Sequence, residues 1–527
     1  MEPKIKRGTL LIASFLTLVA AGAGFATRGA AAPAWAKMGL GPGDFGSIMG
    51  AGFIGFGFVI IIGGILVERF GYKKLLLLAV VLHVVSAAMM FMTPTLYDGW
   101  VASAGQPEAT KGVIQLLWTS VLIFSICAGL YEAVINPLVG QLYPENQTHY
   151  LNVLHAGWPG GLIVGGLVAA AFQNETAWVQ EIPWHYALSA YSLILVLITL
   201  MVIGQQFPRS VSESGKSSFG VLFSCFASIP FLLLLVLHAL IGYMELGVDS
   251  WMTRLMENLV ENSVTVLIYT SVLMFVLRFF AGPIVHKINP IGLLLTSSVI
   301  AVLGLLWLGT EIKSVAVIFA AATLYSFGKA FLWPTMLAVA GERYPQSGAV
   351  AMSALGAAGM ISVGFVGGAM IGAQQSESMN LALEKSSPET YSRYFEGTQE
   401  KFLGYSFRQL DPGLQQAALD ANPAIEGSLD DKLDEALVNI DGREGSSDED
   451  KSARKELIQS NFEVDSQAIK MAFNAGGRRA LTLTAMVPGA MVIGFLILAI
   501  YYKSIGGYKV IRLDENDNEP ATSDESA

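Results

Sequence analysis

Long apolar runs alternate with short polar connections along almost the whole chain. The runs cover about 8–32, 44–67, 75–95, 113–142, 152–173 and 185–205, then about 220–249, 263–285, 291–310, 314–341, 348–373 and 480–502. A helix needs roughly 20 apolar residues to cross a hydrocarbon layer about 30 Å thick. The pattern therefore predicts twelve spanning helices, spans 1 to 12. The polar stretch "GQQFPRSVSESGKSS" (204–218) divides them six and six. The expected fold class is all-α and integral to the membrane, with two pseudo-symmetric six-helix bundles. Residues 1–203 are expected to form the first bundle, 204–219 a linker, 220–373 spans 7–11 and 479–505 span 12. A long acidic insertion, 374–478, separates spans 11 and 12, and 506–527 reads as a disordered tail.

Charge placement sets the expected orientation, because cytoplasmic loops collect Lys and Arg. Lys4, Lys6, Arg7, Arg69, Lys73, Lys74, Arg209, Lys216, Lys287 and Arg343 fall on one side, with Lys503, Lys509 and Arg512 after span 12. The other side carries chiefly Lys37, Lys111, Arg254 and Lys313. Both termini are thus expected in the cytoplasm of a plasma or inner membrane, and the insertion outside. The start "MEPKIKRGTLLIASFLTLVAAGAGFATRG" is basic and then apolar for too long to be a cleaved signal. Composition agrees with a membrane protein: 14% of the 527 residues are charged, against about a quarter in soluble domains. Mean hydropathy is +0.53. Residues 376–477 hold 20 Asp and Glu against 10 Lys and Arg, which matches the whole formal charge of −10. Cys127 and Cys225 lie in apolar runs and read as small packing residues.

An internal repeat supports the two-bundle division. "GGILVERFGYKK" (63–74) follows span 2 and "AGPIVHKINPIG" (281–292) follows span 8, with Gly64 and Gly282 separated by 218 residues. Transporters made of two parallel six-helix halves duplicate in this way. The first turn reads Gly64, three residues, Glu68, Arg69, one residue, Gly71, then Lys73 and Lys74. It resembles the signature of the major facilitator superfamily, with Glu in place of the usual Asp. The resemblance implies that this motif ties helix ends together at the cytoplasmic mouth and helps gate it. Read physically, Gly64 and Gly71 permit close approach and a tight turn, while Glu68 can pair with a base or cap a helix N-terminus. Arg278 and Gly282 are the expected gate elements of the second half.

Ionised side chains near a bilayer centre cost ~2.5–3.5 kcal/mol on insertion scales, so each one is weighed for function. Glu132 on span 4 lies about twelve residues before the Pro144 turn, roughly 18 Å along a helix and near mid-membrane. Asn136 shares its face at i+4, and Pro137 is expected to kink the helix and free a carbonyl. Lys329 on span 10 precedes Pro334 by five residues, as Glu132 precedes Pro137, which suggests a Glu132–Lys329 ion pair. Arg28 on span 1 and Glu245 on span 7 are 217 apart, with Asp249 at i+4 from Glu245. Snorkelling to the outer surface is the alternative for these. His155 and Trp158 on span 5 add an imidazole and an aromatic face, and Trp251 and Trp333 are further stacking candidates.

Glu132-x-x-x-Asn136-Pro137-x-Val139 and Leu151-Asn152-x-x-His155-x-x-Trp158 resemble the fucose/galactose/glucose:proton symporter branch, the L-fucose permease-like proteins. The resemblance implies proton-coupled sugar symport by alternating access, with Glu132 coordinating sugar and coupling the proton. That branch also uses a span 1 carboxylate, where this chain has Arg28 and no acid. An organic or inorganic anion held by Arg28 and Lys329 is the alternative solute, and a transporter-like sensor a further one. No nucleophile motif, phosphate loop or metal-ligand spacing is present, so neither an enzyme nor a cofactor is expected. The expected partners are a small-molecule solute, a proton and the lipid bilayer, not nucleic acid. A monomer is expected, with the 374–478 insertion as a vestibule cap, a partner surface or a spacer.

Overall fold

The computed structural model describes residues 5–29, 31, 34–35, 37–40, 42–173, 183–256, 259–260, 264–422, 427–441 and 448–513. Residues 514–527 of the tail expected to be disordered lie outside them. The first half comprises α1 (Arg7–Gly29), α2 (Pro42–Phe70), α3 (Tyr72–Ala104), α4 (Gln106–Leu142), α5 (Gln147–His155), α6 (Gly157–Gln173), α7 (Trp184–Ser189) and α8 (Ser192–Val202). The second half has α9 (Ile229–Gly242), a π-helical turn Tyr243–Gly247, α10 (Val248–Met256), α11 (Val264–Arg278) and α12 (Ala281–Leu308). It continues with α13 (Val315–Lys329), α14 (Leu332–Arg343), α15 (Gly348–Ser362), the π-helical turn Val363–Gly367 and α16 (Gly368–Ser386).

Among the described residues, nine helical stretches are long and apolar enough to cross a membrane, and Ser192–Val202 and Thr265–Arg278 are shorter apolar helices. The chain is a multi-pass membrane protein. Its outward faces carry exposed apolar side chains such as Phe58, Leu78, Val81, Leu193, Leu200, Ile229 and Ile493. In water such a surface would aggregate; in lipid it is the matching solvent.

Several of the expected spans are broken helices, and in spans 5 and 10 a proline explains the break. Ala156 separates α5 from α6, and Ala330–Phe331 separate α13 from α14. Pro159 and Pro334 cannot donate to the carbonyls four residues back, His155 and Ala330. Pro137 behaves otherwise: α4 continues through it from Gln106 to Leu142 without a break.

The described residues of the insertion form a packed unit. The long α16 packs against α20 (Asp448–Thr484), which leads into α21 (Met486–Ser504). Between them lie α17 (Pro388–Tyr394), a hairpin of β1 (Phe395–Phe402) and β2 (Tyr405–Leu410), α18 (Pro412–Asp420) and α19 (Ser428–Asp441). Leu403 and Gly404 both take positive φ, as a two-residue hairpin turn requires. Asp411 caps α18 by accepting from Leu414 N at 2.7 Å, with Pro412 in the first turn. Leu383, Tyr394, Leu410, Leu414, Ile440, Ile458, Phe462 and Ile469 form a core separate from that of the spanning helices. Asp465 is fully buried and takes Arg393 in a two-pronged ion pair, Nε to Oδ2 at 2.9 Å and Nη2 to Oδ1 at 2.5 Å. Those bonds hold the Arg393 guanidinium above its ordinary pKa against the opposing effect of burial.

Candidate functional site

A cavity of about 120 Å³ lies between the two halves of the chain. Its walls come from α1 (Phe25, Arg28), α4 (Phe124, Ser125, Ala128, Glu132), His155, Trp158, the π turn with α10 (Glu245, Asp249), Arg278, Trp333 and Met360. Phe124, Ala128, Glu132 and Asn136 recur every four residues, which stacks them on one face of α4. Asn136 sits one turn beyond Glu132 and donates Nδ2–H to Glu132 Oε2 at 2.6 Å. Its Oδ1 faces His155 Nε2 at 2.9 Å, which assigns the proton to that nitrogen. His155 Nε2 is 3.9 Å from the Glu132 carboxylate. Glu132, Asn136 and His155 are thus brought together, all of them buried.

The expected Glu132–Lys329 pair is not formed. Lys329 donates to Asp249 instead and lies near the Tyr325 ring, 5.2 Å from its centroid. The equal spacing to Pro137 and Pro334 misled because only the second proline breaks its helix. Arg28 and Glu245 do not snorkel; they are 1% and 3% exposed. Arg28 donates to Gly24 O at 3.0 Å, Ser86 Oγ at 3.0 Å and Tyr191 OH at 2.8 Å, with its guanidinium 3.8 Å from the Phe124 ring centroid. Trp251 is absent from the cavity wall and packs on the Gly368–Gly372 face of α16.

Arg278, expected at the gate turn, occupies the cavity. Its Nη1 donates to His155 O at 2.6 Å and its Nε to Ala330 O at 2.8 Å. These are the two carbonyls that Pro159 and Pro334 strip of helical donors. Its Nη2 pairs with Glu245 Oε1 at 2.9 Å. One guanidinium therefore satisfies both helix breaks and neutralises a buried acid, joining the first half to the second. The prolines at 159 and 334 were the available sequence signal: each implies a free carbonyl that needs a buried donor.

At the end of the bundle carrying the described chain ends, the motif residues form a clasp. Glu68 is 2% exposed; Oε1 accepts from Ala349 N at 2.8 Å and Oε2 from Ser212 N at 2.9 Å. It thereby caps the N-terminus of α15, across the two halves, rather than pairing with a base. A Cβ at Gly64 would lie 2.5 Å from Ser353 Oγ and 3.1 Å from Ala349 O, so glycine lets α2 and α15 touch. Gly71 turns with φ 81°. Lys73 donates to Ile203 O at 2.8 Å and Gln205 O at 3.0 Å beyond the end of α8. Arg69 and Lys74 are exposed. Gly282 faces His149, whose Nδ1 would be 3.0 Å from a Cβ there.

Sequence reasoning missed Glu342. Its Oε1 accepts from Thr148 Oγ1 at 2.8 Å on α5, and its Oε2 from Tyr508 OH at 2.6 Å. It is a further tie between the halves. The repeated turns "GQLYP" (140–144) and "GERYP" (341–345) mark its position at the end of α14.

The family model of the Major Facilitator Superfamily matches residues 11–368. No curated protein sequence matches the chain. Among solved structures, the proton:xylose symporter XylE superposes with a TM-score of 0.59 at 15% identity, covering 69% of this chain and 88% of XylE. A single-site variant of the E. coli fucose:proton symporter FucP gives 0.53 at 18%, covering 68% and 90%. A bacterial homologue of the human lysosomal transporter Spinster, inward-facing and occupied, gives 0.55 at 13%, covering 95% and 98%. These likenesses carry the fold alone, and the family match covers well over half of the chain. The protein is a transporter and belongs to the Major Facilitator Superfamily.

Proposed function

We propose that this chain moves a small polar solute, in the first instance a sugar, across the cytoplasmic membrane by alternating access with a coupled proton. In this reading twelve spans form two six-helix bundles, 1–203 and 220–373 with 479–505. The Glu68 clasp and both termini face the cytoplasm, the 374–478 segment lies outside, and the working unit is a monomer. The observation that carries the reading is Glu132. It is buried on the cavity wall, held by an amide and an imidazole, with no Lys or Arg in ion-pair distance among the described residues. A carboxylate at membrane depth without a fixed cation is suited to take and release a proton. The proton:sugar symporters among the structural neighbours support the pairing of sugar and proton. Trp158 and Trp333 offer faces on which a sugar ring can stack.

The anion reading is favoured by Arg28, a buried cation without an acid partner among the described residues, but not by Lys329, which Asp249 occupies. Counterflow and pH-driven uptake in proteoliposomes, across a panel of sugars and organic acids, test the proposal. Glu132→Gln should keep exchange at equal concentrations and lose accumulation driven by a pH gradient. Uptake indifferent to pH in both proteins overturns the proton coupling. No exchange of any solute overturns transport and points to a sensor.

A further inference from the structure

Among the described residues, six charged side chains line or back onto the cavity: Arg28, Arg278 and Lys329 against Glu132, Glu245 and Asp249. Arg278–Glu245 and Lys329–Asp249 are ion pairs. Arg28 and Glu132 remain. Arg28 lies over Phe124, eight residues before Glu132 on the same face of α4, so the two are about 12 Å apart along the helix and do not neutralise each other. Two polar atoms are also left over. Arg28 Nε and Glu245 Oε2 are buried without a hydrogen-bond partner among the described residues, and both side chains line the cavity. Leaving such groups unmet is costly, and more so when they are charged.

A ligand that answers these groups needs an anionic head for Arg28, hydroxyl donors for Glu245 Oε2 and Glu132, and a flat body for Trp158 and Trp333. A neutral sugar leaves the Arg28 charge unanswered, and a plain carboxylate leaves Glu245 Oε2 unanswered. We propose that the solute is an acidic sugar, a hydroxylated monocarboxylate, taken up with one proton on Glu132. The inference rests on the reading of Glu132 as the coupled proton site. With Glu132 ionised, the six side chains sum to zero and the bound anion leaves an excess negative charge. With Glu132 protonated they sum to plus one, and the anion restores neutrality. Anion and proton therefore favour each other's binding, reciprocally. The charged and titratable groups facing Glu132 are His155 at the end of α5, Arg278 on α11, Glu245 and Asp249 with Lys329 behind them, and Arg28 on α1.

Calorimetric titration of the purified protein with glucuronate, galacturonate, glucose, galactose and propionate, at an acidic and a neutral pH, tests this. The uronates should bind at least about tenfold tighter, ~1.4 kcal/mol, than either neutral sugar or propionate. Their affinity should rise on acidification in the wild type and not in Glu132→Gln. Arg28→Gln should lose the preference; if that variant does not fold, the wild-type ranking still decides. Neutral sugars binding as well as their acids overturn this inference and leave sugar transport standing. Uronate affinity unchanged by pH overturns the proton linkage. Failure of every ligand here, together with failure of all exchange in proteoliposomes, removes the parent reading itself.

Discussion

Arg278 ties two proline-freed carbonyls and the Glu245 carboxylate together out of water. Truncating it to Gln strands a buried carboxylate, a change that costs about 3–5 kcal/mol in comparable pairs. A Glu245→Gln, Arg278→Gln double variant removes the stranded charge and should recover much of the lost thermal stability in detergent while remaining inactive. If the double variant is as unstable as Arg278→Gln alone, the pair is not coupled. The identities of the charged residues were legible because a charge inside an apolar run stands out. Their pairing was not, since three cations and three acids allow several matches and only tertiary distances choose among them. The turn repeat illustrates the difficulty. Gly140 and Gly341 set a register of 201 residues, which aligns Lys329 with Ala128 rather than with Glu132.

The helices themselves were largely readable from the apolar pattern, and their ends from Gly and Pro. A proline does not by itself fix a break: α3 and α4 continue through Pro94 and Pro137. Pro159 and Pro334 adjoin breaks whose carbonyls accept from Arg278. Contact between α2 and α15 depends on Gly64. Gly64→Val should push the two helices apart at Ser353 and favour the state open at that end. In a chain lacking Cys127 and Cys225, a cysteine at position 353 should then be alkylated several-fold faster; unchanged labelling would refute the contact's role. The segment after α21 straps the same end. Ile511 N donates to Glu342 O at 2.8 Å, and Arg343 Nη1 to Lys509 O at 2.5 Å. Burial, then the Glu342 charge, raises the Tyr508 phenol above its ordinary pKa, so it remains a donor at physiological pH. Tyr508→Phe leaves a buried carboxylate oxygen without that donor, at a cost of about 1–3 kcal/mol. A drop in melting temperature should report it, and an unaltered melt would show that water replaces the hydroxyl.

At the scale of the molecule, two kinds of core coexist among the described residues: those among the spanning helices, and a second in the unit carried by α16 and α20. The second core has the Arg393–Asp465 pair at its edge, with Thr390 Oγ1 donating to Asp465 at 2.8 Å. Asp465→Asn removes the charge that Arg393 pairs with and should destabilise that unit, by less than the loss of a fully buried pair because Arg393 is only half-buried. Hydrogen exchange should then rise across β1, β2 and α18 while the spanning helices keep their protection. Equal loosening of both would show that the insertion and the bundle fold as one. The sequence of 374–478 does not announce a core because its apolar positions are spread over five short elements. None of those elements shows a long run, and only their docking on α16 and α20 gathers them into a core.

Composition and periodicity by themselves determined that the chain is an all-α membrane protein and which polar residues interrupt its apolar runs. Both follow from the cost of exposing backbone and charge to hydrocarbon, which is paid locally, residue by residue. Tertiary structure alone decided which charge meets which, that Arg278 belongs to the cavity, that Glu68 caps α15, and that the insertion has a core. These depend on contacts between residues far apart in the chain. Their strength falls off within a few ångströms, and no local pattern encodes that distance.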